Sequence, residues 1–182
     1  MGRTNPTATM QVYQFERDWV RLVRAPQKVT REAFRELVAF AHFHAAPRAH
    51  AASPYTFELI LLSMLVGVVR RAESLEAQGI ALSVDAKSSV LAVMTVLRQR
   101  LGQQKRELYH FARALREEDQ IALRTLLGAT KVSAALVPLD ASAPTDERVL
   151  TALVETMRHI RTLEKRHLTP KGIVTLEAWS RV

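Results

Sequence analysis

The sequence contains no cysteine, which excludes disulfides, thiolate metal sites and cysteine nucleophiles. Aromatic residues make up only 6%, and the few turn formers, 6 glycines and 7 prolines, are scattered along the 182 residues. The longest apolar run, LILLSMLVGVV at 59–69, is too short for a membrane span, which needs ~20 residues. The opening MGRTNPTATM lacks the apolar core of a secretion signal, so the expectation is a cytoplasmic protein with no membrane partner. Pro6 also stands where an acylation signal requires Ser or Thr. No glycine-rich phosphate loop, nucleophile elbow or H-E-x-x-H occurs, so the chain reads as non-catalytic and without a cofactor. His42, His44 and His50 cluster, but a metal pair on one helix face needs a spacing of three or four. His42 and His44 are two apart and face different ways, so no metal site is expected.

What is present is helix-forming. Hydrophobic residues reach 48%, with Ala, Leu, Val and Arg dominant, and Ala, Leu and Arg lose little freedom in a helix. The length suits one all-α domain over 1–182. A first helix starts near Thr7 or Thr9 and stops at Pro26. Thr30 caps a second, which Pro47 closes. Ser53 caps a third, with Pro54 at its first position and Gly79 just past its end. Its middle, Leu59 to Val69, is apolar all round and predicts a helix buried on most sides. From Ser83 or Asp85, the series Val90, Met94, Leu97, Leu101, Leu108, Phe111 and Leu115 steps by threes and fours and predicts one long fourth helix, weakened at Gly102. Glu117-Glu118-Asp119 ends it, and Asp119 is the natural cap of a fifth helix running to Leu136. LDASAP forms a loop, and a sixth helix covers about 145–167. Predicted core positions are Trp19, Phe34, Leu37, Leu61, Leu62, Leu65, Met94, Leu97, Leu101, Leu108, Phe111, Leu123, Leu126, Leu150, Leu153 and Met157.

The chain also repeats itself. A shift of 89 carries Arg17, Arg24, Ala25, Ala33, Arg35 and Leu37 onto Arg106, Arg113, Ala114, Ala122, Arg124 and Leu126. A shift of 88 carries Leu62, Leu65, Val66, Arg70, Leu75 and Glu76 onto Leu150, Leu153, Val154, Arg158, Leu163 and Glu164. Two blocks matching in order predict a bundle of about six helices built from two pseudo-repeated three-helix units. The units cover about 7–79 and 96–167, a bridging helix begins near 83, and 168–182 is a tail.

The opening MGRTNPT, with Trp19, Arg24-Ala25, Arg31-Glu32-Ala33-Phe34, Leu37, His44-Ala45 and Leu61-Leu62-Ser63-Met64-Leu65, resembles a group of small helical archaeal proteins that begin MGRT-x-PT. The resemblance covers about residues 1–76. That group has no assigned activity and lends no functional residue; its members are mostly acidic, whereas this chain is strongly basic. LTPKGIVTLE at 168–177 is similar to a phrase of winged-helix regulators, without a strand pair for a wing.

The net charge is +8, with a pI of about 10.4, which bears on partners rather than on fold. Residues 98–116 carry Arg98, Arg100, Lys105, Arg106, Arg113 and Arg116 against Glu107 alone. The sixth helix adds Arg158, Arg161, Lys165 and Arg166 against Glu164. The sequence therefore predicts a non-catalytic nucleic-acid-binding accessory protein. Arg98, Arg100, Lys105, Arg106, Arg113, Arg158, Arg161, Lys165 and Arg166 would contact phosphate with little sequence preference, and Tyr109 and His110 could stack on single strands. The bland alternative is a solvated helical face. The rival function is a helical adaptor that docks a protein partner, or a second copy, through the fourth or third helix. A small-molecule binder between the two units is a third reading.

Overall fold

The computed structural model describes residues 7–51, 56–102, 105–133 and 146–167. Among these the chain is helical throughout its regular structure, with no strand. The helices are α1 (Ala8–Asp18), α2 (Val20–Val23), α3 (Lys28–Phe43), α4 (Ala45–Ala51), α5 (Thr56–Ala77), α6 (Val84–Leu101), α7 (Lys105–Ala114), α8 (Glu117–Ser133) and α9 (Asp146–His167).

Helix α5 is the axis of the fold. Every residue from Leu59 to Val69 is buried, as its all-round apolar character predicts. Ser63, in the middle, satisfies its hydroxyl by donating to the Leu59 carbonyl at 2.7 Å. Each buried Leu or Met here contributes about 1.5–3 kcal/mol of transfer free energy. Gly79 ends the helix in the left-handed region, at φ +78°. The Gly79 amide donates to the Glu76 carbonyl and the Ile80 amide to that of Leu75, both at 2.9 Å, a six-residue closure that needs a residue free of a Cβ penalty.

Helices α3, α6, α8 and α9 pack around α5. Lys87 and Glu76 pair at 2.6 Å at one end of α5, and Arg100 and Glu58 at 3.8 Å at the other, so α6 runs antiparallel to α5. Arg100 also reaches Asp146 at 2.5 Å, while Arg71 meets Glu164 at 2.5 Å; α9 therefore runs parallel to α5. Helix α3 lies on α5 and on α9, α8 lies on α5 and α6, and α4 packs mainly on α7.

Several boundaries differ from the sequence reading. The first helix breaks at Trp19 into α1 and α2, and Trp19 is half-buried against the core rather than inside it. Gln27, not Thr30, occupies the cap of α3, with the Thr30 hydroxyl turned back to the Gln27 amide oxygen. Pro47 lies inside the short α4, in its first turn, where a missing amide costs nothing. The long fourth helix is two helices. Its apolar series continues, but Phe111 and Leu115 with half-buried Leu108 belong to a segment that packs on α4, off the axis of α6. Gly102, the residue that caps the end of α6, is a poor helix former at that break. Asp119 does not cap a helix: α8 begins at Glu117, and Asp119 is fully buried. The predicted cap Ser53, Pro54 at the predicted first helical position, the LDASAP loop and the 168–182 tail lie outside the described residues.

Candidate nucleic-acid interface

Helix α7 divides its faces sharply. Phe111 is buried with half-buried Leu108 and Ala112 beside it, whereas Arg106, Tyr109, His110 and Arg113 are exposed. Positions 106, 110 and 113 recur at four and three residues, so they form one row along the helix. At 1.5 Å per residue the row spans about 10 Å, roughly three base steps of a duplex strand. Among the described residues neither Arg106 nor Arg113 has an ion-pair partner. At the far end of the row, His50 of α4 joins His110, Arg113 and Ala114 around an open depression of about 250 Å³. Arg116 continues the basic surface, its guanidinium 4.5 Å from the centre of the exposed Phe43 ring. Tyr109 meets His110 edge to face at 5.8 Å. The surface thus offers charge, imidazole donors and an aromatic face within one helix, which are the elements that phosphate and base stacking use.

The other predicted contacts are placed differently. Arg161 is turned inward to Glu36 and to Glu32, the latter at 2.5 Å. Arg71 joins the same set, paired with Glu164 at 2.5 Å and with Glu36 at 3.5 Å. This alternation of acids and bases holds α3, α5 and α9 together at one end of the bundle, with side chains 17–27% exposed. Arg161 is therefore a structural cation, not a phosphate ligand in waiting. Replacing Arg161 with Ala leaves Glu32 and Glu36 facing each other half-buried. Urea denaturation should show a loss of about 1–2 kcal/mol, below the cost of breaking a fully buried pair because water still reaches these groups. Arg100 bridges Glu58 and Asp146, and Arg158 pairs with Glu155 at 2.6 Å one turn earlier. Arg98 is exposed on α6. Lys165 and Arg166 are exposed at the end of α9, which rests on α3, α5 and α6, whereas α7 rests on α4 and α8. The Lys105 side chain lies outside the described residues.

The structure also brings together groups that the sequence keeps apart. The His44 imidazole and the Asp119 carboxylate, both buried, approach to 3.3 Å, and Arg70 donates to the other Asp119 oxygen at 3.0 Å. Burial pushes the Asp119 carboxyl up, but the contacts with His44 and Arg70 outweigh it and hold the group below its ordinary value. The pair is closed to solvent, at 3% and 1% exposure, so no substrate can reach it. Arg48 is buried as well, donating to the carbonyls of Ala41 and Ala8 and so tying α4 to α3 and α1. Burial pushes its guanidinium down to about 10, which leaves it charged at neutral pH. No group of His, Cys, Asp and Glu suited to a metal ion occurs among the described residues, and none of the described helices is long and apolar enough to cross a membrane.

Neither the depression nor the buried pair had a signal in the sequence. His50 and His110 are 60 residues apart, and His44 and Asp119 are 75 apart. Arg106, His110 and Arg113 share a spacing that places them in one row, as do Arg158, Arg161 and Lys165 on α9, where Arg158 and Arg161 are taken up by carboxylates.

No curated protein and no solved structure matches the chain significantly. Residues 1–92, half of the chain, match the family model described as a domain of unknown function, DUF8156. That segment contains α1 to α5 and half of α6, including Arg48, His44 and the central apolar helix. The chain belongs to the DUF8156 family.

Proposed function

We propose that this protein is a cytoplasmic, non-catalytic accessory protein that binds nucleic acid through its phosphate backbone with little sequence preference. One observation carries the reading: the row Arg106–His110–Arg113 on α7, joined by His50, stands exposed with no carboxylate opposite it among the described residues. Several other bases of this chain are neutralised by a carboxylate, as Arg71, Arg100, Arg158 and Arg161 are. An uncountered row on a +8 protein is where a polyanion would release the most counterions. Arg98, Lys165 and Arg166 would add outlying contacts; Arg100, Arg158 and Arg161 would contribute little beyond the long-range field. A non-catalytic role agrees with the closure of His44–Asp119, the one acid–imidazole ion pair among the described residues.

The proposal extends to a fold of two pseudo-repeated units in a single domain. Exchanging the halves turns α3 on α9 into α8 on α5, and both contacts occur. The packing of α3 along α5 has no comparable counterpart between α8 and α9 among the described residues, so the copies have diverged in how each closes on itself. The adaptor alternative draws less support from the apolar stretches of the third and fourth predicted helices. Leu59 to Val69 and the series Val90, Met94, Leu97, Leu101 and Phe111 are all spent inside the fold.

The test is fluorescence anisotropy with a labelled ~20-base-pair duplex across a salt series. Four phosphate contacts should give a slope of about −3.6 in log K against log salt. Arg106→Ala/Arg113→Ala should flatten it by about two and weaken binding roughly tenfold. Salt-independent binding, no binding at low salt, or a double variant indistinguishable from wild type would refute the reading.

A further inference from the structure

Helix α1 shows two characters around its circumference. Val12 and Phe15 are buried, while Met10 is 58% exposed, Tyr13 56% and, just past the break at Trp19, Val20 42%. These three, with Glu16 and Arg17, line an open groove of about 520 Å³. The positions 10, 13, 17 and 20 step by three, four and three, the spacing of a seam between two helices. The Tyr13 ring is already backed by His42, with ring centres 5.0 Å apart, so its outward pose is fixed before any partner arrives.

We propose that α1 docks antiparallel against α1 of a second copy of this chain, about a twofold axis passing between Glu16 and Arg17. The argument is self-complementarity. In an antiparallel pair, opposed residues have numbers with a constant sum. A sum of 33 sets Glu16 against the partner's Arg17 within α1, and Val20, which lines the same groove just past the break at Trp19, falls at the end of the pair beside the partner's Tyr13, each twice by symmetry. One register therefore satisfies the charges and the apolar side chains together. Charge selects this helix on a second ground. Two copies at +8 repel, and α1, with Arg17 against Glu16 and Asp18, is a segment on which that repulsion is relieved. The groove is small for a standard interface, so the pairing is weak, with a micromolar dissociation constant.

The experiment is light scattering after gel filtration of the nuclease-treated full chain, across about 0.5–200 µM, a range that includes the half-populated point of a micromolar dimer. The mass of wild type should rise toward twice that of one chain. Tyr13→Glu should stay at one chain throughout, with an unchanged circular dichroism spectrum. Glu16→Arg alone opposes like charges at both symmetry-related contacts and should raise the dissociation constant about tenfold or more. Glu16→Arg/Arg17→Glu should bring it back toward wild type, because the constant sum is preserved. A monomeric wild type at the highest concentration, a dimer indifferent to Tyr13→Glu, or a double reversal no better than the single one would each overturn the proposal. None of these readouts depends on nucleic acid, so failure here leaves the reading of α7 standing.

Discussion

Gly67→Ala lowers the stability of the protein by about 2–3 kcal/mol, although alanine in a helix interior ordinarily gains about 1 kcal/mol over glycine. The reversal comes from Phe40. Gly67 lies in the buried stretch of α5, and a Cβ built there falls among the Phe40 ring carbons Cγ, Cδ1 and Cδ2. The ring of α3 lies where that methyl would go, so the two helices approach more closely than any side chain at 67 permits. Either the ring leaves its place or α3 lifts off α5, and both disturb buried α3 residues: Leu37, one turn before Phe40, and Ala41, next to it. Equilibrium unfolding in urea reads the loss. The decisive comparison is made in a Phe40→Ala background. That single change costs about 3 kcal/mol, at the low end for a phenylalanine because Phe40 is only partly buried. With the ring gone, Gly67→Ala should turn neutral or stabilising, a coupling of about 3 kcal/mol between two residues in contact. If Gly67→Ala has the same sign in both backgrounds, the close approach does not control this interface.

That contact also marks where sequence reasoning stops. The helical character of α5, its burial and its glycine end are all legible, because each is set by residues within a few positions of one another. So are most core positions, since a three–four spacing fixes which face is apolar. The meeting of Phe40 with Gly67 is not legible, because nothing near position 67 records which side chain of another helix will lie there. The break between α6 and α7 fails for a related reason. Leu101, Leu108 and Leu115 continue one series at intervals of seven, as a straight rod would, and only the presence of α4 gives α7 a different surface to cover.

The basic residues teach the same lesson about charge. A count along the chain identifies the two basic stretches, but a count cannot pair them. Arg161 and Glu32 are 129 residues apart in sequence, yet the bundle brings them to 2.5 Å. The ionic cost of leaving a cation half-buried is met wherever the fold supplies an acid, so proximity in sequence to other bases says little about which guanidinium remains open to a ligand. On α7 the sequence is the better guide, because its row is formed within one helix.

Asp119→Ala should destabilise the fold by about 3 kcal/mol, and it should remove a step in the acid sensitivity of the wild type. Asp119 receives Arg70 and faces His44, joining the start of α8 to the late part of α5 and the end of α3. Removing the carboxylate leaves an imidazole buried with no acid near it. The cost stays at the lower end for a broken buried pair because Arg70 is 36% exposed and keeps Glu118, at 2.8 Å. The sign of the pH effect follows from the direction of the shift. A carboxyl held below its ordinary value contributes stability that is present in full above the usual carboxylate range, near pH 4, and is lost as pH falls through the lower native value. Thermal melts of the wild type should therefore steepen their decline below about pH 4, where protonation of Asp119 begins to cost the fold. Asp119→Asn, which keeps the shape but cannot titrate, should start lower at neutral pH and decline less over that interval. Parallel curves for wild type and Asp119→Asn would mean that the junction of α3, α5 and α8 is held by packing alone. A converging pair would identify this buried acid as the charge on which α3, α5 and α8 close.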